Sequence, residues 1–142
     1  MKKTIICLYA PADCGKTKTI IRLFLKLGGD KKKLNGMNDF IADVIFGGKI
    51  IGFASQGDPG TQQKKNIEDH AKNGCDIIVT ASRSKGDTVD NVSKIANKYG
   101  YKVVWVSPFY FYDKKDATEK TYLYFAELNA DNIAKYIIDE LI

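Results

Sequence analysis

The sequence predicts an α/β fold of three layers, with helices on both faces of a mostly parallel sheet of five or six strands and an antiparallel hairpin at one edge. Three observations carry this expectation. Short apolar runs alternate along the chain with stretches of helical periodicity. The runs at 4–10, 75–81 and 101–107 are apolar almost without interruption, as strands covered on both faces must be. Gly47-Gly48 joins two further strand-like runs, 39–46 and 49–54, with the residues a two-residue hairpin turn requires.

Taken in order, strand one spans 4–10 and is closed by Pro11. Helix one runs from Lys16 or Thr17 to about Leu27, with Ile20, Leu23, Phe24 and Leu27 on one face and Lys18, Arg22 and Lys26 opposite. Gly28-Gly29 ends it, and 31–36 is a polar connection. Strand two then lies at the sheet edge with strand three inside it. Helix two is expected from Thr61 to Asn73, and Asp58-Pro59 offers a cap and a first helical position. His70, the single histidine, reads as a residue packed between helix and sheet. Strand four occupies 75–81, and helix three 88–99 places Val89, Val92, Ile95, Ala96 and Tyr99 against the sheet, capped by Asp87 or Thr88. Strand five, 101–107, stops at Pro108. Thr121–Ala126 fits either a last edge strand or the lead-in to helix four, for which Asn129 is the expected cap and Ile133, Tyr136, Ile137 and Leu141 the apolar face.

A length of 142 residues fits one domain, 1–142, with a core that can stand alone. The net charge of +5 comes from twenty lysines against two arginines, Arg22 and Arg83. Sequence-reading nucleic-acid grooves concentrate arginine and cluster their charge, whereas the one dense run here, Lys31-Lys32-Lys33, reads as a solvated turn. A nucleic-acid partner is therefore a minor expectation. Three cysteines, Cys7, Cys14 and Cys75, with one histidine make neither a disulfide framework nor a structural zinc site, and fit reduced intracellular thiols. No apolar run approaches membrane-spanning length, and Met1-Lys2-Lys3 leads into a strand pattern rather than a signal peptide, so the expected location is the cytoplasm.

The chemistry is expected in the loop between strand one and helix one, Ala10-Pro11-Ala12-Asp13-Cys14-Gly15-Lys16-Thr17. A helix N-terminus leaves several N–H groups without partners and carries positive dipole charge, so amides from Asp13 to Thr17 suit an anion. Lys16 would add a mobile positive charge for terminal phosphates, Lys18 could lean toward them, and the Thr17 hydroxyl could join Mg²⁺. The plain alternative is a strand-to-helix turn in which Thr17 is an ordinary cap and Lys16 is solvated. Asp13 is unusual there, because its carboxylate would face an incoming phosphate unless turned away. After strand three, Asp58 stands where an acid could hold Mg²⁺ or its water, with Gln56 and Thr61 near enough to place water or phosphate oxygens. After strand four, Thr80, Ser82 and Arg83 reach the same rim, Arg83 as a second phosphate clamp beside a short flap at 84–87. Phe109-Tyr110-Phe111-Tyr112 could stack a nucleotide base, with Tyr110 or Tyr112 as the contact, or pack the rim of the sheet.

Strand, glycine turn with Gly15-Lys16-Thr17, and helix together resemble the P-loop NTPases, with Ala10 standing where the first glycine of the motif is expected. The resemblance implies a P-loop NTPase-like fold and purine nucleoside triphosphate binding, Mg-ATP above all, with ATP hydrolysis or phosphoryl transfer to a small-molecule or protein acceptor. It implies Lys16, Asp58 and Arg83 in catalytic roles, Asp13, Cys14, Gly15, Lys16, Thr17, Lys18 and Tyr110 around the nucleotide, and Thr17 with Asp58 at the Mg²⁺. The antiparallel pair also looks like the small GTPase arrangement, but no Asn-Lys-x-Asp guanine motif follows strand four. A GTP-binding module, and a noncatalytic nucleic-acid or assembly protein with a degenerate loop, are the alternatives.

Overall fold

The computed structural model describes residues 2–34, 36, 38–111, 113, 115 and 117–142. Five strands, β1 (Thr4–Tyr9), β2 (Ile41–Phe46), β3 (Lys49–Ala54), β4 (Ile77–Ser82) and β5 (Lys102–Val106), form one sheet in the order β2-β3-β4-β1-β5. The β2–β3 pair is antiparallel and the other three pairings are parallel. Among the described residues four α-helices accompany them: α1 (Lys16–Lys26), α2 (Gln63–Lys72), α3 (Asp87–Tyr99) and α4 (Glu119–Tyr136), the last continuing into a π-helical turn at Ile137–Leu141.

The three layers follow from strand alternation. Ile6 and Leu8 of β1 point into a core shared with Phe24 of α1, Phe53, Val79 and Ile133 of α4. Their neighbours Ile5 and Cys7 point the other way, into a core with Ile67 of α2 and Val92 and Ile95 of α3. Thus α1 and α4 cover one face, and α2 and α3 the other. β1 lies between β4 and β5 and all six of its residues are buried or half-buried, which explains why 4–9 is apolar. β2 is at the edge with every second residue turned to solvent, as its position beside the hairpin predicts. Both turn glycines have positive φ, 59° for Gly47 and 76° for Gly48, the backbone that a tight two-residue hairpin demands. At the end of β1, Tyr9 meets Trp105 of β5 edge-on, ring centroids 6.0 Å apart.

Several element boundaries differ from the sequence expectation. Asn129 does not cap the last helix. It lies inside α4, where its amide bonds both the N–H and the carbonyl of Phe109 (2.9 and 3.0 Å) and pins the chain that leaves β5. The true cap is Thr118, whose side chain accepts from the Thr121 N–H while the Thr121 hydroxyl accepts from the Thr118 N–H. Thr121–Ala126 is therefore helix, and the edge-strand alternative falls. Asp58-Pro59 does not open α2, because the chain turns at Gly60 (φ 74°) and the helix begins only at Gln63. His70 is packed between helix and sheet as expected, its Nε2 3.0 Å from the Phe53 carbonyl. Lys31–Lys33 forms an exposed 3₁₀ turn capped by Asp30.

Gly57 fixes how the chain leaves β3. A Cβ on it would lie 2.8 Å from both the carbonyl carbon and the Cβ of Ala81, so residues 55–58 press against the end of β4 only because the side chain is missing. Since a backbone atom of a central strand cannot yield cheaply, Gly57→Ala is expected to destabilise by about 1–3 kcal/mol in urea unfolding.

Candidate functional site

The segments that leave the carboxyl ends of β1 and β3 border a cavity of about 380 Å³. Asp13 through Lys18 form one wall. Asp39, Ser55, Gly57 and Asp58 form another, and Glu119 and Tyr122 of α4 a third. Ligands of open parallel sheets sit outside strand carboxyl ends, so the cavity is where the topology alone would put one.

Gly15 precedes α1 in the left-handed conformation (φ 79°), and among the described residues no side chain caps the helix. The first-turn amides therefore have neither a capping side chain nor an intrahelical acceptor, which leaves them suited to an anion. Asp13 also has positive φ, 60°, a conformation that aspartate tolerates better than most residues. Its side chain is exposed on the cavity wall, and its carbonyl accepts a 3.2 Å hydrogen bond from the Tyr122 hydroxyl. Cys14 is buried, its thiol 3.6 Å from the Ala12 carbonyl. Lys18 lines the cavity with its ammonium 3.8 Å from the Glu119 carboxylate.

Lys16 is not the mobile cation the sequence suggests. It is 8% exposed, and its ammonium donates to the Ala10 carbonyl and, at 2.7 Å, to the Ser82 carbonyl. A buried charge needs such partners. Ser82 also accepts the Ala10 N–H (3.3 Å), so the end of β4, the start of the loop and the lysine are tied together. Burial lowers the Lys16 pKa below its ordinary value, with the Asp58 carboxylate opposing that shift and the Arg83 guanidinium adding to it. Burial pushes the Cys7 thiol beneath the loop up to about 12, so it is a neutral packing residue.

The Thr17 hydroxyl donates to Asp39 Oδ1 at 2.8 Å, and the Ser55 hydroxyl reaches the same oxygen at 3.0 Å. Ser55 is itself fixed, 2% exposed and accepting the Phe40 N–H at 2.8 Å. Asp58 lines the same cavity but is paired differently: its Oδ1 accepts from Arg83 Nε at 2.8 Å. Thr17 and Asp58 thus line one cavity without a hydrogen bond between them, and Arg83 meets the cavity only through Asp58.

The remaining expected residues do other work. Gln56 ties its own turn by accepting from the Gln62 N–H and from Asn66 (both 3.2 Å), and Thr61 donates to the Asp58 carbonyl at 2.7 Å. Thr80 is fully buried and bonds the Ala54 carbonyl across the sheet. Tyr110 does not line the cavity, and Tyr112 lies outside the described residues. The aromatic that does reach the loop is Tyr122. Together with Asp39, Ser55 and Glu119 it was missed in sequence; reading Thr118-x-x-Thr121 as a helix start would have brought Tyr122 and Glu119 to notice.

Among the described residues no cluster of three or more histidine, cysteine, aspartate or glutamate side chains could hold a metal by itself. No helix there is long and apolar enough to cross a membrane. Compared with known proteins, the chain matches no protein-family model, and neither the curated proteins nor the solved structures give a significant match.

Proposed function

We propose that this protein binds the Mg²⁺ complex of a purine nucleoside triphosphate, ATP, with its phosphates in the cavity at the start of α1. The observation that carries the reading is the buried Lys16 at the glycine-led N-terminus of α1, which has no side-chain cap among the described residues, with the Thr17 hydroxyl on the same cavity. Amides and ammonium there converge on negative charge, and a hydroxyl beside a carboxylate suits a hard cation. The residues fit the group. The first-turn amides and Lys16 would take the β- and γ-phosphate oxygens, Thr17 and a carboxylate the Mg²⁺, and the Asp58–Arg83 pair stands on the same rim. Mg²⁺ supplies charge neutralisation of the phosphates when bound.

For turnover, whether hydrolysis or phosphoryl transfer to an acceptor, Lys16 would offset charge on the transferred group. Arg83 would join it only after leaving Asp58. Tyr122, packed at Gly15, is the aromatic of the cavity lining, and it rather than Tyr110 would meet a bound nucleotide.

Calorimetric titration of the protein with Mg-ATP, Mg-GTP and inorganic tripolyphosphate tests the reading. Saturable binding of ATP in preference to tripolyphosphate supports it, and tighter binding of GTP moves the assignment to a guanine nucleotide. Absence of binding by all three removes the nucleotide role and leaves a noncatalytic loop. Release of inorganic phosphate from bound ATP without an acceptor marks an ATPase.

A further inference from the structure

We propose that Asp39, and not Asp58, is the carboxylate that joins Thr17 in holding the divalent cation. This rests on the nucleotide reading above and sharpens its metal site. The two acids differ in what already occupies them. Asp58 Oδ1 is engaged by Arg83 Nε at 2.8 Å, so its charge is offset by a guanidinium, and metal binding would have to break that pair.

Asp39 has no cationic partner among the described residues. Its Oδ1 takes the Thr17 and Ser55 hydroxyl protons at 2.8 and 3.0 Å, and its Oδ2 meets no donor among the described residues, although Asp39 lines the cavity. Donating its proton to Asp39 leaves Thr17 Oγ1 with its lone pairs directed elsewhere and its electron density raised, the condition of a hydroxyl that ligates a hard cation. The Ser55 hydroxyl holds the carboxylate from the other side, and Ser55 is locked by its 2.8 Å bond to the Phe40 N–H.

The topology explains why the acid comes from an unexpected place. The antiparallel register pairs Ile41 with Ala54, so Phe40 meets Ser55 across the pair, and Asp39, the residue before Phe40, comes within reach of the Ser55 hydroxyl. The residue directly after β3 is a serine that holds a carboxylate, and the carboxylate comes from the chain leading into β2. One carboxylate and one hydroxyl cannot hold Mg²⁺ alone. They would suffice where phosphate oxygens and water supply the remaining ligands, the usual way this ion is bound beside nucleotides.

The test is titration of ATP in excess Mg²⁺ and again in EDTA, on wild type, Asp39→Asn and Asp58→Asn. Asparagine keeps the Oδ1 acceptor for Thr17 and Ser55 while removing the charge, and circular dichroism verifies that each variant is folded. Wild type is expected to bind ATP more tightly with Mg²⁺. Asp39→Asn should keep the EDTA affinity and lose about tenfold or more of the Mg²⁺-dependent gain, whereas Asp58→Asn should keep the gain. Mn²⁺ in place of Mg²⁺, followed by water-proton relaxation, should show the same loss of protein-held cation in Asp39→Asn alone. Loss of the gain in Asp58→Asn, by itself or together with Asp39→Asn, overturns the assignment. Wild type that binds ATP equally in Mg²⁺ and EDTA overturns it while sparing the nucleotide site, and wild type that binds in neither condition overturns both.

Discussion

Lys16→Ala is expected to weaken Mg-ATP binding by roughly 10- to 100-fold while leaving the protein folded. The Ala10 and Ser82 carbonyls already take two of the ammonium protons, so the substitution removes one charge-assisted hydrogen bond to phosphate, worth about 1.5–3 kcal/mol. Stability should move far less. Truncation frees the protein from burying a charge, which is favourable, but it deprives the Ala10 and Ser82 carbonyls of the Lys16 donor. These opposing effects leave a net change within about 1 kcal/mol. Calorimetry and urea unfolding on the same preparation separate the two quantities, and undiminished ATP affinity in a folded variant would remove Lys16 from the site.

The buried lysine also sets a pH dependence. Its pKa is lowered in the folded protein, chiefly by burial. As pH rises toward the ordinary lysine value of 10.5, the folded protein gives up this proton before the unfolded chain does. In that alkaline window the native state binds fewer protons, so the contribution of Lys16 to stability improves with pH, having been unfavourable below it. Affinity for phosphate goes the opposite way, because a neutral amine attracts an anion less. Wild type compared with Lys16→Ala should show both trends, a relative gain in urea midpoint and a falling advantage in ATP affinity.

Phe24→Ala is expected to produce the largest loss of stability, about 3–5 kcal/mol by urea unfolding. The ring is fully buried. It meets Phe40 and Phe53 with centroids 5.2 and 5.3 Å away, and a Cβ on Gly29 would lie 2.5 Å from it. These contacts clamp α1 to β3 and to the residue that precedes β2. Thr17 rides on α1, and Asp39 is joined directly to Phe40. The cavity left by truncation therefore loosens the very geometry that brings hydroxyl and carboxylate together. The Mg²⁺-dependent part of ATP affinity should fall more than the part measured in EDTA.

The parts of the molecule legible in sequence are those governed by local periodicity. The parallel strands, the hairpin at Gly47-Gly48 and the helix behind Gly15 all follow from apolar spacing and glycine backbone freedom. The misreadings arose where distant residues set the outcome. Asn129 looks like a cap because its amide suits one, yet it serves the chain leaving β5, twenty residues earlier. Asp58 and Arg83 were each identified as ligand-facing, and nothing local signals that they are close enough to neutralise one another. Asp39 was passed over because an acid two positions before an edge strand carries no pattern of its own. Its significance comes from the antiparallel pair, which joins its neighbour Phe40 to Ser55 and so leaves Asp39 within hydrogen-bond reach of Ser55 and Thr17.

The contact between Tyr9 and Trp105 has an optical consequence. Trp105 is the one tryptophan in the chain, and Tyr9 is the last residue of β1 before the backbone enters the loop. Indole emission responds to a neighbouring ring and to solvent, and this indole is 38% exposed. A displacement at Ala10 is passed to Tyr9 through a single peptide bond. The protein thus carries a label-free fluorophore one residue from the loop, and ligand titrations followed by its emission need no engineered dye.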